Sequence, residues 1–482
     1  MTSRRALVAS LVVVLLAAWW VRAANNLRVA EDPRNGGQAA WFSTDPDSLY
    51  HMRRLTRAMQ EGGTVAGRDP LLAYPESLAA GGAPIPWPPA YTHVLRLLVA
   101  PVAPAEPAAR ESFVERQVAS WPMRFGVATA VVTALAAAAL CSTSAVPLAV
   151  PVAALVAGLV YAFSLASVRY SHLGTGDHHA FVSLLHVSWL ALAARAFSAG
   201  RRGSWSGARL GALCGLLAGL ALASWVASLI YVVLLQAALV WAVARHRDQP
   251  RAALVAFGLA FHAAALAVVI TAAAVSPWPP WEVVNLSWFH VLELALGGAL
   301  LLPLAWVRPG SGSLRRTLPT LAALFTLVCL AAALTPLGSN LREGFRWAAG
   351  AGDFMGAVQE SQPLLGGRAG GAALLSRWLG LGVWLLPLVW LCAWRDRERG
   401  LLPWLVATPV LLVLALSQRR FGDGLAAPLA VLLGWGAAQL VAVRAARARP
   451  VSFAKPGSLA RPVGILALAL VLPVLSNHAR AA

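Results

Sequence analysis

Three short polar segments of the sequence carry the residues best suited to chemistry. They cover residues 44–54, 169–179 and 357–362. Their candidate metal ligands are Asp47, Asp177, His179 and Glu360. Several carboxylates beside an imidazole form an oxygen-rich site that suits a divalent cation such as Mg²⁺ or Mn²⁺. If the segments meet, we expect one metal site at a membrane edge, of a kind that can neutralise a lipid diphosphate.

Each segment taken alone also has a plainer interpretation. Asp45 and Asp47 can cap a surface helix whose basic residues follow. His178 and His179 can be polar residues at a membrane interface. Only a meeting of the segments in space favours chemistry over these interpretations.

The composition is that of an integral membrane protein. Of 482 residues, 59% are hydrophobic and 12% are charged, against about 45–50% and about 25% in soluble chains. A cytosolic enzyme, a disordered tail and a disulfide scaffold are therefore excluded. The net charge of +19 comes from basic residues in short gaps between apolar runs. The positive-inside rule explains that pattern, so no nucleic-acid partner is expected.

Apolar runs long enough to cross a bilayer predict an all-α protein with about thirteen transmembrane helices. The first run follows Arg4 and Arg5 and is interpreted as an uncleaved anchor. The predicted spans are residues 6–24, 121–141, 146–165, 180–197, 207–223, 225–244, 252–275, 286–307, 317–335, 373–394, 401–417, 424–445 and 462–476.

Arginine clusters orient these spans. They fall near residues 201–209, 245–251, 308–316, 395–399 and 444–455, in the gaps that are cytoplasmic if the N-terminus is inside. One further gap, at 142–145, has no charge. The three polar segments then lie on the outer side, two of them in long outer loops at about 25–120 and 336–372. We expect a single transmembrane domain over 1–482 without a soluble C-terminal domain.

The polar segments match a family when taken in order. The first reads Asp-x-x-x-His-x-Arg from Asp47 to Arg53, the second reads Arg-x-x-x-x-Gly-x-x-Asp-x-His from Arg169 to His179, and the third contains Val-x-Glu ending at Glu360. This order resembles the catalytic subunits of oligosaccharyltransferases, above all the archaeal type. The resemblance implies a GT-C membrane glycosyltransferase fold, and the thirteen-span plan agrees with it.

The resemblance also implies a role for each residue. Asp47 corresponds to the first-loop aspartate, because its spacing to Arg53 is that of the family, and Asp45 is a second candidate. Asp177 and His179 correspond to metal ligands, with His178 as their neighbour. Glu360 corresponds to a glutamate that touches both the metal site and the acceptor amide. Arg420, or alternatively Arg419, would hold the lipid-linked diphosphate, although both can also be residues that reach the lipid headgroups.

The implied activity is a metal-dependent, inverting transfer of a glycan from a lipid-diphosphate donor to an asparagine of an acceptor polypeptide. The family's Trp-Trp-Asp-Tyr-Gly motif, which reads the acceptor, does not occur in this sequence. A partner protein could read the acceptor instead, or the loops alone, or the acceptor could differ from an asparagine sequon.

Two other functions compete with this one. A related GT-C enzyme would move a single sugar from a polyprenyl-phosphate donor to a lipid or polysaccharide, but the Asp-x-His and Val-Gln-Glu elements argue against it. A flippase of lipid-linked sugars would place its ionisable groups at mid-membrane, often with internal repeats, and no repeat is visible here. The arginine-rich composition indicates a bacterial inner membrane with the active face in the periplasm.

Overall fold

A computed structural model of the chain describes residues 3–24, 45–70, 82–198, 204–245, 250–303, 323, 326, 327, 330, 334–350, 358–365, 371–396 and 398–447. Helices dominate these residues. They are α1 (Ser3–Ala24), α2 (Pro46–Gln60), α3 (Ala90–Val99), α4 (Pro107–Leu140), α5 (Ala149–Phe163), α6 (Leu165–Arg169), α7 (His179–Ser198), α8 (Ser204–Leu222), α9 (Ser228–Arg245), α10 (Pro250–Ala274), α11 (Trp288–Ala299), α12 (Pro336–Ala348), α13 (Gly371–Leu379), α14 (Leu386–Arg395), α15 (Leu402–Ser417) and α16 (Phe421–Arg447). Short 3₁₀ turns cover Ala100–Val102, Gln359–Ser361, Leu381–Leu385 and Arg399–Leu401.

Six of the described helices are long and apolar enough to cross a membrane, and a seventh span is possible if one bent pair crosses as a unit. Four shorter apolar helices, of 10–17 residues, accompany them. The chain therefore has the helices of a multi-pass membrane protein. Span 462–476 lies outside the described residues, and most of 317–335 does too. The count of thirteen stays a prediction.

Two boundaries differ from those expected. Helix α4 begins at Pro107, although the outer loop was expected to continue to about residue 120. Glu106 caps this helix by accepting a 2.5 Å hydrogen bond from the amide of Ala109, and proline fits the first helical position. The expected span 373–394 is broken, because α13 and the following helical segment meet at 104°. Gly380 stands at the break with φ of 81°, a conformation that ends a helix.

One compact unit consists of Met1–Met52, Ala103–Val187 and Ala357–Ala482. In it α5 packs against α1, α4 and α16. Small residues allow close approach: a Cβ at Gly434 would lie 2.6 Å from the carbonyl oxygen of Ala153. Such close packing of small residues is how membrane helices associate.

The other unit consists of Arg53–Val102 and Ser188–Gly356. Its most extensive helix pair is α8 with α10. The glycines of α8 that face the α10 backbone recur every four residues, at Gly207, Gly211, Gly215 and Gly219. Two short antiparallel strands, β1 (Arg68–Asp69) and β2 (Ala83–Pro84), pair Arg68 with Pro84 and Asp69 with Ala83.

Candidate functional site

Helix α2 presents the first polar segment from its N-terminal turn. Asp45 precedes the helix and accepts a 3.3 Å hydrogen bond from the amide of Asp47 through its side chain. Its carbonyl oxygen accepts from the amide of Ser48 at 3.0 Å. Asp45 thus does cap the helix, and Asp47 lies in the first turn, where the helix dipole favours negative charge.

Close backbone contacts fix the second polar segment. Gly174 adopts φ of 98° and donates its amide to the carbonyl of Ala119 at 2.9 Å. Gly176 donates its amide to Oγ of Ser48 at 2.5 Å, which joins the first segment to the second. A Cβ at Gly176 would lie 2.6 Å from Cγ1 of Val118 and 2.8 Å from Cβ of Ser48. Only glycine fits this junction without displacing a neighbour.

Three imidazoles surround the buried carboxylate of Asp177. Nδ1 of His178 lies 2.6 Å from Oδ1, Nε2 of His51 lies 3.9 Å from Oδ1, and Nε2 of His179 lies 3.7 Å from Oδ2. Burial opposes ionisation of Asp177, but the imidazoles outweigh it and hold its pKa well below the usual range. Asp177 is therefore ionised at neutral pH.

The two first-segment acids have the opposite environment. Burial and the neighbouring carboxylates of Asp177 and Asp45 raise the pKa of Asp47 to about 7. Burial and Asp177 likewise raise the pKa of Asp45. Without a compensating cation, this cluster therefore carries more carboxylate charge than its surroundings stabilise.

Two overlapping groups of side chains have the spacing of metal ligands. Asp45, Asp47 and Asp177 form one group, and His51, Asp177 and His178 form the other, with all ligand atoms of a group within 4.8 Å of one another. The donor set and the excess negative charge both fit a hard divalent cation. Among the residues that the structure describes, His179 and Glu360 belong to neither group, although His179 contacts Asp177.

A backbone ladder places the third segment. The amide of Arg420 donates to the carbonyl of Glu360 at 3.1 Å, the amide of Arg419 donates to Gln362 at 3.0 Å, and the amide of Leu364 donates to Leu416 at 3.1 Å. This pairing, hereafter the 360–420 ladder, brings Glu360 beside Arg420 across about sixty residues of sequence.

The side chains of the ladder extend these contacts. Arg420 donates to Oγ of Ser361, and the Tyr170 hydroxyl donates to the Glu360 carboxylate. Burial and the negative charge of Asp177 raise the pKa of Glu360, against the attraction of Arg420. The Tyr170 ring packs 4.5 Å from that of His179. Glu360 is therefore electrostatically coupled to the second segment.

The remaining predicted residues have other partners. Arg53 forms an ion pair with Asp69. Arg419 takes part in the 360–420 ladder through its amide. His178 directly contacts Asp177, although only a neighbouring role was expected for it.

Residues without an assigned role in the sequence also enter the site. His51 stands four residues after Asp47, which places both on one face of α2; this spacing was a signal for its inclusion. Tyr170 and Ser361 lie next to motif residues, but nothing in their type marked them.

Solved structures share this fold. The oligosaccharyltransferase AglB from Archaeoglobus fulgidus, in complex with an inhibitory peptide and a dolichol-phosphate, matches with a TM-score of 0.77 at 17% identity over 97% of this chain and 54% of that chain. The apo oligosaccharyltransferase of that organism matches with a TM-score of 0.77, at 17% identity over 97% and 55% of the two chains. A complex of the same oligosaccharyltransferase with Zn and sulfate matches at 0.69, with 17% identity over 96% and 52%.

At this identity the likeness establishes the fold, and the chain spans about half the length of the structures it matches. No family model matches the sequence, and no curated protein matches it.

Proposed function

We propose that this chain is an oligosaccharyltransferase-like membrane glycosyltransferase that moves a glycan from a lipid-diphosphate carrier to an asparagine of an acceptor polypeptide. The observation that carries this proposal is the meeting of three distant polar segments. Asp47, Asp177 and Glu360 interact electrostatically with one another, and the fold that holds them is the one solved archaeal oligosaccharyltransferases share.

The donor is assigned to the side of the site where Arg420 lies. This arginine is half-buried, and a guanidinium can bind phosphate oxygens through two parallel hydrogen bonds. The proposal gives Arg420 the lipid-linked diphosphate, with Arg419 as its alternative. Glu360 and Ser361 orient the Arg420 side chain before the donor arrives.

Asp47 and Asp177, which share one ligand group, would hold Mg²⁺ or Mn²⁺. The family resemblance adds His179 and Glu360 as further ligands, with Asp45, His51 and His178 beside them. A bound divalent ion supplies Lewis-acid stabilisation of the negative charge that develops on the departing diphosphate. The excess carboxylate charge around Asp177 supports this assignment. The three imidazoles around Asp177 hold it in the ionised form that a ligand requires.

The acceptor is assigned to Asp47 and Glu360. Their carboxylates would accept hydrogen bonds from the asparagine NH₂ group, which orients its nitrogen. The nitrogen forms a bond to the anomeric carbon as the bond to the diphosphate oxygen breaks on the opposite face, so the configuration inverts. The amide proton passes to one of the two carboxylates, Asp47 or Glu360, as the new bond forms.

The proposal places this site on the outer, periplasmic face of a bacterial inner membrane, with the N-terminus in the cytoplasm. It includes a partner protein or further loop contacts that read the acceptor. The arginine clusters in alternate gaps support the orientation.

Purified protein in detergent, supplied with Mn²⁺, a lipid-diphosphate-linked glycan and an asparagine peptide, tests the proposal. Lipid diphosphate and glycopeptide are measured for the unaltered chain and for Asp47→Ala, Asp177→Ala and Glu360→Ala. We expect metal-dependent turnover that each substitution abolishes. Glu111→Ala, which removes an exposed carboxylate of the same unit, should retain full turnover.

The other outcomes separate the alternatives. Transfer of the glycan to water, without formation of glycopeptide, would support donor binding and cleavage by this chain. It would assign recognition of the acceptor to a partner protein. Turnover only with a polyprenyl-monophosphate sugar would establish the single-sugar enzyme instead. Donor binding without any cleavage would contradict the proposal.

A further inference from the structure

A buried arginine lies beneath the polar segments, at the end of α1. Arg22 is 0% exposed, although arginine is among the most expensive side chains to bury on a membrane-spanning helix. A charge in such a place persists where hydrogen bonds and an opposite charge compensate it. Its contacts therefore indicate what it stabilises.

The Arg22 guanidinium binds the chain that leads to the second polar segment. Nε donates to Oγ of Ser171 at 2.8 Å, and Nη2 donates to Oγ of Ser167 at 3.1 Å. Nη1 donates to the carbonyl of Ala162 at 3.1 Å. The carbonyl of Arg22 itself accepts from the amide of Leu173 at 3.1 Å. These bonds hold the backbone up to four residues before Asp177.

Helix α4 leaves room for this arrangement at Gly126. A Cβ there would lie 2.5 Å from Nε of Arg22 and 2.6 Å from Cβ of Ser171. A methyl group at this position would therefore displace the Arg22–Ser171 hydrogen bond without removing any charge.

The opposite charge comes from the first turn of α16. Asp423 is 4% exposed, attracts Arg22 electrostatically, and accepts a 2.5 Å hydrogen bond from Oγ of Ser183. Ser183 lies one turn after His179 on α7, and Asp423 lies three residues after Arg420. Asp423 therefore links the helix that begins at His179 to the segment that carries Arg420.

We propose that Arg22 and Asp423 are positioning residues that set the cation affinity of the site. Arg22 fixes the segment that ends at Asp177, and Asp423 fixes the first turn of α7 against the end of the 360–420 ladder. This inference rests on the metal site of the proposed function. Neither residue is required to touch the cation or the substrates.

Mn²⁺ binding to the full-length protein in detergent tests the inference without any turnover. The dissociation constant is measured by electron paramagnetic resonance for the unaltered chain, Arg22→Met, Asp423→Asn and Gly126→Ala. We expect a weakening of about 10- to 100-fold for each, the range typical of residues that support metal ligands from outside. Arg22→Lys, which keeps the charge, should recover part of the loss.

A double substitution and an exchange measurement separate positioning from general destabilisation. Arg22→Met with Asp423→Asn should weaken Mn²⁺ binding little more than either change alone, because the two residues act as one unit. Hydrogen exchange of the Leu173 and Gly174 amides should accelerate in Arg22→Met without metal. The matched control is Arg54→Met, which removes another buried arginine, one that binds the carbonyls of Trp87 and Pro88. It should lower the thermal midpoint and leave Mn²⁺ affinity within about threefold, since Arg54 belongs to the second unit and to neither ligand group.

Each contrary result has one meaning. Unchanged Mn²⁺ affinity in Arg22→Met and Gly126→Ala would overturn the positioning role alone. A loss of the same size in Arg54→Met would show general destabilisation and would overturn it too. No Mn²⁺ binding to the unaltered protein would overturn the metal site and this inference with it.

Discussion

Two part-buried clusters that each combine carboxyl and imidazole groups behave differently in this molecule. In the second unit, the Glu293 carboxyl bonds to Gln236, whose Nε2 lies 3.1 Å from Nε2 of His262. Nδ1 of His262 lies 2.7 Å from the carbonyl of Gly258 and so carries the proton, because a carbonyl only accepts. One acid, one amide and one imidazole thereby link α9, α10 and α11.

The Asp177 cluster of the first unit instead holds several acids that repel one another. Burial and the charge of Asp177 raise the pKa values of Asp45 and Asp47, while the three imidazoles lie against Asp177. The contrast shows that a buried acid and histidine do not by themselves identify a site. An excess of like charge that the folded chain does not relieve is the stronger indication of one.

The largest difference in Mn²⁺ affinity is expected from substituting Asp177, the carboxylate that belongs to both ligand groups. Asp177→Asn keeps the shape of the side chain and loses the ligand charge, so we expect Mn²⁺ affinity to fall at least about 100-fold, beyond the loss caused by outer-sphere changes. Glu293→Gln should leave that affinity unchanged. Calorimetric titration of both variants with Mn²⁺ checks this prediction, and equal losses would remove the distinction between the clusters.

The pH dependence of cation binding should come next in size. Asp47, with a pKa of about 7, must lose its proton to act as a ligand. We therefore expect Mn²⁺ affinity to fall about tenfold for each pH unit below 7 and to level off above it. Asp47→Asn should bind weakly with a much flatter profile. A profile that is flat in the unaltered protein would contradict the prediction.

The raised pKa of Asp47 also predicts how the stability of the metal-free protein depends on pH. A carboxyl whose pKa is raised on folding stabilises the fold below its unfolded pKa, and this contribution is lost as pH rises through the raised value. For Asp47 that window runs from about 4 to about 7. The thermal midpoint should therefore fall across this window, and Mn²⁺ should restore it. A midpoint that rises with pH would show that other groups dominate.

A pair of glycine substitutions should have a smaller and more selective effect. Gly176→Ala forces apart the contact with Ser48 and Val118, at a cost of about 1–3 kcal/mol, and should weaken Mn²⁺ binding several-fold. Gly297→Ala in the second unit would place a Cβ against Gln236 and 2.7 Å from Nε2 of His262. It should lower the thermal midpoint similarly and leave Mn²⁺ affinity unchanged.

The smallest effect is expected from Ser361→Ala. Arg420 loses a hydrogen bond from its charged guanidinium to Ser361. Because Arg420 is half-buried, water can replace the hydroxyl, so we expect a net loss of about 0.5–1.5 kcal/mol and a rise of about two- to tenfold in the KM for the lipid-linked donor. Mn²⁺ affinity should not change, because Ser361 belongs to neither ligand group. A change in Mn²⁺ affinity without a change in KM would contradict this prediction, because it would place Ser361 at the cation and not at the lipid-linked donor.

Much of this candidate site could be predicted from the types and spacing of residues in the sequence. The order of the three polar segments predicted that Asp47, Asp177 and Glu360 belong together, and the four-residue spacing to His51 was visible too. The partners of the 360–420 ladder were not, because backbone pairing across sixty residues leaves no periodic signal. Arg22 and Asp423 were equally hidden, because Arg22 is a single charge within an apolar run and Asp423 stands at the edge of another.

The fold, like the site, was predictable only in part. Hydropathy located the apolar helices, but it identified neither the start of α4 nor the break at Gly380. The N-terminal turns of α4 are charged and extend an apolar helix beyond the part that hydropathy detects. A glycine inside an apolar run lowers hydropathy hardly at all, while its positive φ ends the helix.

The 360–420 ladder has a consequence for the order of events in a catalytic cycle. Because the backbones of Glu360 and Arg420 are joined by a hydrogen bond, a displacement of one backbone segment moves the other with it. Under the proposed function, a motion that frees the spent lipid diphosphate from Arg420 also withdraws Glu360 from the acceptor. Departure of the two products would then be synchronous, and a fresh acceptor could not be held while the old carrier remained.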